Sequence, residues 1–73
     1  MEIGDRVKVT RIDDYTASIY KIDNTPSPLG MIGVVVEMRY NPNMHRQEVV
    51  VLTEGMKCVW EPWNLTVIKS NKY

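Results

Sequence analysis

The sequence predicts an all-β fold: a small five-stranded barrel with a long first loop and a 3₁₀ turn before the last strand. Three observations lead to this prediction. A glycine-punctuated, valine-rich run at 30–38 has the length of a strand and is too β-branched to favour a helix. An alternating apolar segment precedes it, and short apolar runs separated by turn residues follow it. A chain of 73 residues has room for one domain, which we place at 1–69, with a frayed tail at 70–73.

The first strand is predicted within 4–12, where Val7 and Val9 alternate with Arg6 and Lys8. This period of two is typical of a half-buried strand with a charged outer face. In the central run, Gly33 marks a sharp bend or a close approach of another backbone. After the central run, the sequence predicts a turn at 40–44, a strand at 47–53 and a tight corner at 54–55. A strand at 56–60, a 3₁₀ turn at 61–64 and a last strand at 65–68 follow.

The long first loop is predicted at 13–29. This segment contains the turn-forming sequences Asp-Asp at 13–14, Asp-Asn at 23–24 and Thr-Pro-Ser-Pro at 25–28. Its first half, 15–22, has β character from its Tyr and Ile residues, so we expect a partly ordered, hairpin-like excursion. The alternative is a helix over 15–22, because Ile19 and Ile22 lie three residues apart and alanine and lysine favour helices. Loops of this length are more often functional than idle.

Composition excludes several classes of protein and site. The chain is 44% hydrophobic and 25% charged, which is ordinary for a globular domain. Lys plus Arg and Asp plus Glu both number 9, so the zero net charge disfavours strong non-specific nucleic-acid binding. Cys58 alone cannot form an internal disulfide, and no zinc or EF-hand spacing is present, so no cofactor or metal is expected. Without a membrane-spanning run or a secretory signal, we expect a cytoplasmic protein that does not enter membranes.

Three segments together resemble the SH3-like barrels: Gly-Asp-Arg-Val-Lys-Val at 4–9, Gly-x-x-Gly-x-Val at 30–35, and Trp-Glu-Pro-Trp-x-Leu at 60–65. The chain is most similar to the β-subunit barrel of nitrile hydratase and the variable chain of ferredoxin-thioredoxin reductase, and KOW-type barrels share its opening. In the first two families the catalytic metal or cluster belongs to the partner chain. The resemblance therefore implies a small, non-catalytic subunit. The double tryptophan of peptide-binding SH3 domains is missing.

No catalytic residues are predicted. Cys58 has Lys57 beside it, which would favour a reactive thiolate, but strand alternation turns Lys57 outward and Cys58 inward, so a buried, inert thiol is expected. His45 lies in a polar turn without a nucleophile or an orienting partner. We therefore expect a protein that is not an enzyme.

The aromatic residues provide the candidate binding surface, because so narrow a barrel cannot enclose all six of them. Alternation points Trp60 inward as a structural residue, whereas Trp63 lies beside Pro62 and is harder to bury. Tyr and Trp are common at binding hot spots, so Trp63 with Tyr15 and Tyr20 forms the predicted partner-binding site. In the competing interpretation, Trp63 merely covers the open end of the barrel.

Three functions follow from these observations. The first is a non-enzymatic protein-binding or accessory module that contacts another protein through the loop and 3₁₀-turn aromatics. The second is a nucleic-acid-binding module of the KOW or Tudor-like kind, with phosphate contacts from Arg6, Lys8, Arg39, Arg46 and Lys57. The third is a structural small subunit of an enzyme complex, as the family resemblance implies.

Overall fold

A computed structural model describes residues 1–70 and contains five strands, one α-helix and one 3₁₀ turn. The predicted five strands and the 3₁₀ turn before the last of them are confirmed. The predicted tail beyond Ser70 lies outside the described residues. The elements in chain order are β1 (Arg6–Val9), α1 (Asp14–Ile22), β2 (Ile32–Asn41), β3 (Arg46–Thr53), β4 (Met56–Trp60), the 3₁₀ turn (Pro62–Asn64) and β5 (Leu65–Lys69).

The strands form one antiparallel sheet in the order β4-β3-β2-β1-β5. The valine-rich run at 30–38 therefore lies in the central strand, as predicted. The strand itself, β2, begins at Ile32 and extends to Asn41. The sheet stays open, with β4 and β5 as its edges. Within the part of the chain that is described, neither helical element has the length and hydropathy needed to cross a membrane.

The core consists of aliphatic side chains from one face of the sheet. Val7 and Val9 of β1 are buried while Arg6 and Lys8 point away, which confirms the alternation expected for this strand. Val49 of β3 is 0% exposed. Complete burial of one such valine contributes about 1.5–3 kcal/mol relative to exposure. The full cluster is Val7, Val9, Val35, Val49, Val51 and Leu65, with Ile12, Met31, Met38 and Trp60 packed against it.

Gly33 allows β2 to approach its neighbour in the sheet very closely. A Cβ atom at this position would collide with the Thr53 hydroxyl, the Leu52 backbone oxygen and a methyl group of Val51. The close backbone approach predicted from the sequence is therefore confirmed. Just beyond it, the pairing of β2 with β3 shifts between Val35 and Glu37, a bulge of the kind that bends a strand.

The connection between β1 and β2 contains a helix. The predicted hairpin-like excursion at 15–22 is wrong, and the helical alternative is correct. Asp13 caps α1: its carboxylate accepts a hydrogen bond from the Thr16 backbone N–H at 2.7 Å. Asp14 lies in the first turn and Lys21 in the last, both favourable with respect to the helix dipole. These local interactions determine the conformation, because α1 has no buried residue.

After α1, the chain is anchored again at the start of β2. The backbone N–H of Gly30 donates to the Val9 carbonyl at 2.8 Å, and the Val9 N–H donates to Met31 at 2.9 Å. Pro28 is fully buried beside this junction. The two ends of the connection are therefore fixed to β1, whereas α1 itself lies exposed between them.

Candidate functional site

A groove of about 420 Å³ lies where α1, the ends of β3 and β4, and the 3₁₀ turn come together. We call it the aromatic groove. The predicted partner-binding residues Tyr15, Tyr20 and Trp63 all line it, although they come from segments far apart in the sequence. The complete lining is Asp13, Tyr15, Thr16, Tyr20, Arg46, Glu48, Cys58, Val59, Trp60, Glu61, Trp63 and Asn64.

One side of the groove is formed by the beginning of α1. Tyr15 is 75% exposed, so most of its ring remains available for contact. Asp13 lies beside it as the helix cap, and hydrogen bonds with Thr16 lower the pKa of the Asp13 carboxyl below its ordinary value. The group is therefore ionised at neutral pH and places a negative charge at this end of the groove.

Acidification is expected to loosen the first turn of α1. The folded pKa of Asp13 lies below that of the unfolded chain. The stabilising contribution of the carboxylate is therefore complete above about pH 4 and is lost as the pH falls through the lower folded value. The chemical shift and exchange rate of the Thr16 amide, followed by NMR, will report this loss. Asp13→Asn is the control, because asparagine caps a helix without titrating. If the chemical shift and exchange rate of the Thr16 amide do not change with pH in the unmodified protein beyond the change seen in the control, the prediction is wrong.

The opposite side is the 3₁₀ turn, which Asn64 holds in place. The Asn64 side chain accepts from the Glu61 backbone N–H at 3.0 Å and donates to the Arg11 carbonyl at 2.8 Å. The Asn64 backbone carbonyl in turn accepts from the N–H of Thr10 at 2.9 Å. A buried side chain thus ties the turn to the segment that follows β1, and the tie fixes the position of Trp63.

The two tryptophans have different environments. Trp60 is half-buried and packs against the core, in agreement with its predicted structural role. Trp63 is 43% exposed, and its indole N–H donates to the Glu61 carboxylate at 3.2 Å. Trp63 is therefore partly exposed and lines the groove.

The floor of the groove contains a network of charges. Glu48 is buried and accepts hydrogen bonds from Arg39 at 2.9 Å and from Asn41 at 3.2 Å, which lower the pKa of its carboxyl, Arg39 having the larger effect. Arg46 forms an ion pair with Glu61 at 3.2 Å through Nη1. Its Nε lies 3.9 Å from Glu48, beyond hydrogen-bonding distance. This Nε is buried and has no hydrogen-bond partner.

The lining is negatively charged overall. It contains the carboxylates of Asp13, Glu48 and Glu61 and the guanidinium of Arg46, and Arg39 from outside the lining pairs with Glu48, which leaves a formal excess of one negative charge. Opposite charges attract more strongly in a partly desolvated groove than in bulk water. The aromatic groove is therefore suited to a cationic or neutral ligand rather than to an anion.

The candidate catalytic residues do not assemble into a site. Cys58 is a free thiol that is half-buried instead of fully buried, because β4 is an edge strand. Lys57 is exposed, as strand alternation predicts. His45 is exposed in the turn between β2 and β3, where its φ is 51°, and does not line the groove. Among residues 1–70, no three His, Cys, Asp or Glu side chains are grouped as metal ligands.

The basic residues of the nucleic-acid hypothesis fall into two sets. Arg39 and Arg46 are engaged by carboxylates, Arg39 with both Glu37 and Glu48. Arg6 and Lys8 are exposed on β1, where Arg6 pairs in register with Lys69 of β5. Lys57 lies on β4, an edge strand that β3 and β2 separate from β1. The structure therefore does not unite the five residues in one surface.

Sequence reasoning missed the polar half of the site, which consists of Asp13, Glu48, Glu61 and Asn64. Three of these had a readable signal. Asp13 precedes a helix-compatible segment in the position of an N-cap, and Glu61-Pro62-Trp63-Asn64 has the spacing of a capping box with proline in the first turn. Glu48 had none, because a glutamate beside Gln47 at the start of a strand is usually solvated.

Comparison with known proteins identifies no relative. The chain matches no protein-family model, and neither the curated proteins nor the solved structures contain a match.

Proposed function

We propose that this protein is a non-enzymatic protein-binding module with an SH3-like fold, and that it recognises its partner through the aromatic groove. The observation that carries the proposal is the convergence of Tyr15, Tyr20 and Trp63 on one concave surface. The strand order β4-β3-β2-β1-β5, with β1 pairing to β5, supports the relationship to SH3-like barrels.

Tyr15 and Trp63 are exposed around the groove, and Tyr20 is half-buried. Single apolar residues are common on protein surfaces, whereas aromatic residues clustered around a concavity mark binding sites. Tyrosine and tryptophan bury a large area while losing little conformational entropy, so they contribute strongly to protein interfaces. The polar ends of the groove supply orientation through the carboxylates of Asp13 and Glu61.

The position of α1 adds to the argument. The helix lines the groove but has no buried residue, so few contacts restrain it. Segments of this kind open at low free-energy cost and become ordered when a partner covers them. The proposed partner thus completes the packing that α1 lacks in the free protein.

Trp63→Ala is expected to weaken partner capture strongly. Removal of a hot-spot tryptophan costs about 2 kcal/mol or more, which weakens binding by about thirtyfold. Affinity capture followed by quantitative mass spectrometry will compare the proteins retained by the unmodified protein and by the variant. Tyr40→Ala is the matched control, since Tyr40 is a 55% exposed aromatic residue that does not line the groove.

An unchanged set of captured proteins in Trp63→Ala, with its fold verified by NMR, would contradict the proposed function. Hydrogen exchange provides a second measurement on the same complex. The amides of α1 should exchange faster than those of the sheet in the free protein and gain protection when the captured partner is added. Protection that already equals that of the sheet in the free protein would also contradict it.

The proposal extends to the compartment and to the biological role. Cys58 is a free, half-buried thiol, which is compatible with a reducing compartment such as the cytoplasm. A module without catalytic residues serves as an accessory chain that positions or regulates its partner. The binding site, rather than any chemistry, is then its functional feature.

A further inference from the structure

We propose that the aromatic groove selects a partner segment carrying a positively charged side chain, with arginine preferred, and that Asp13 supplies its counter-charge. This inference rests on the proposed function and specifies the partner's chemistry. The occupant is an extended stretch of another protein whose guanidinium lies between α1 and the 3₁₀ turn.

The side-chain charges of the groove favour a cation at the α1 end, where Asp13 must outweigh the positive partial charge of the helix N-terminus. Glu48 is compensated by Arg39 and Asn41, and Glu61 by Arg46 and the indole N–H of Trp63. Asp13 is different. It caps α1 through one oxygen and, within the described part of the chain, forms no ion pair with a Lys or Arg side chain. Its carboxylate is exposed and can accept a cation from outside.

The aromatic residues favour the same kind of ligand. Tyr15, Tyr20, Trp60 and Trp63 all contribute to the lining. The faces of such rings carry negative partial charge and attract ammonium and guanidinium groups. A guanidinium can in addition stack flat on a ring and donate two parallel hydrogen bonds to a carboxylate, which a lysine ammonium cannot do. Arginine therefore exploits both components of the groove.

The groove already contains a guanidinium of the chain itself. Arg46 lies among the lining residues, where Glu61 accepts from its Nη1 at 3.2 Å. This intramolecular contact shows that Glu61 pairs with a guanidinium at this end of the groove, although the Nε of Arg46 has no hydrogen-bond partner. Arg46 occupies the Glu48–Glu61 side, however, and leaves Asp13 and the tyrosines of α1 for a second cation.

The size and charge of the groove argue for a peptide segment rather than a nucleic acid or a small ion. A volume of about 420 Å³ exceeds what one guanidinium fills, so flanking residues of an extended segment have room beside it. A phosphate backbone would bring further negative charge to a lining that already has a formal excess of it. A protein segment that presents arginine satisfies both conditions.

The test is an NMR titration of the ¹⁵N-labelled protein with three acetylated and amidated pentapeptides, Ala-Pro-Xaa-Pro-Ala. Xaa is arginine, lysine or citrulline, and citrulline reproduces the shape of arginine without its charge. The indole N–H signals of Trp60 and Trp63 serve as reporters. We expect the arginine peptide to bind about fivefold to tenfold more tightly than the citrulline peptide, and the lysine peptide to fall between them.

Asp13→Asn and Asp14→Asn separate the counter-charge from the helix cap. Asparagine caps a helix as well as aspartate does, so Asp13→Asn preserves α1 while removing the charge. Asp14→Asn removes the same charge from the neighbouring position, which does not line the groove. Asp13→Asn is expected to eliminate the preference for arginine over citrulline, and Asp14→Asn to retain it.

Equal binding of the arginine and citrulline peptides would overturn the proposal, as would an unchanged preference in Asp13→Asn. Equal affinity for arginine and lysine would overturn the preference for guanidinium. Methylguanidinium alone binding as tightly as the arginine peptide would overturn the assignment to a protein segment. If no peptide binds while partner capture remains sensitive to Trp63→Ala, the charge selectivity fails and the proposed function stands.

Discussion

Gly33→Ala is expected to lower the free energy of unfolding by about 3 kcal/mol, the upper part of the range for an overpacked core position. The new methyl group would collide with the Leu52 backbone oxygen, which cannot rotate away as a side chain can. Relief requires β2 and β3 to separate where they pair in the middle of the sheet. A domain of this size is stable by only about 4–11 kcal/mol, so the loss is a large fraction of the total.

Urea denaturation followed by tryptophan fluorescence will measure this effect. The matched control is Gly55→Ala in the hairpin between β3 and β4. Gly55 has φ 79°, and apart from its own atoms and those of its two chain neighbours no heavy atom lies within 4 Å of where its Cβ would be. The control therefore incurs only the strain of a left-handed backbone, about 1 kcal/mol. A Gly33→Ala variant no less stable than Gly55→Ala would show that the sheet can relax around the added carbon.

Asn64→Ala is expected to reduce the free energy of unfolding by about 2–3 kcal/mol. The substitution removes the acceptor for the Glu61 N–H and the donor to the Arg11 carbonyl. Each buried polar group left without a partner costs about 1–3 kcal/mol, with partial relief from entering water. The 3₁₀ turn then loses its connection to the segment after β1, and Trp63 moves away from the groove.

Asn43→Ala is the control for this substitution, because Asn43 lies in the exposed turn after β2 and contributes its backbone N–H, which alanine retains. Its effect should be within about 0.5 kcal/mol of zero. Chemical denaturation compares the stabilities, and hydrogen exchange of the Glu61 amide reports the lost bond directly. Equal stability of the two variants, or an unchanged Glu61 amide in Asn64→Ala, would refute the role assigned to Asn64.

The sheet was predictable because short segments of the sequence contain the patterns that specify its strands and turns. Val7 and Val9 alternate with cations, and Glu54-Gly55 forms a two-residue turn with both φ angles positive, at 50° and 79°. Helix α1 was not predicted as the first choice, because no apolar face of it is buried and its Tyr and Thr residues favour strands. Its conformation is favoured, against those preferences, by the Asp13 cap together with Asp14 in the first turn and Lys21 in the last.

The candidate site was predictable only in its aromatic half. Tyr15, Tyr20 and Trp63 were identified because they exceeded what a small core can enclose. Glu48 escaped notice because its burial depends on strand register: Arg39 lies directly across from it on β2 and hydrogen-bonds to its carboxylate. That register follows from a bulge after Val35, and no pattern within either strand alone specifies it.

The absence of buried residues in α1 has a consequence for how the protein can change over generations. Substitutions on this helix remove no core contact, so they leave the free energy of the sheet nearly unaltered. The α1 side of the groove is therefore largely independent of the stability of the sheet, whereas the 3₁₀-turn side contributes to both the groove and the fold. As long as Asp13, or another capping residue, begins the helix, its surface can diversify toward new ligands, and segments from other proteins can be grafted between Arg11 and Pro28 onto the same scaffold.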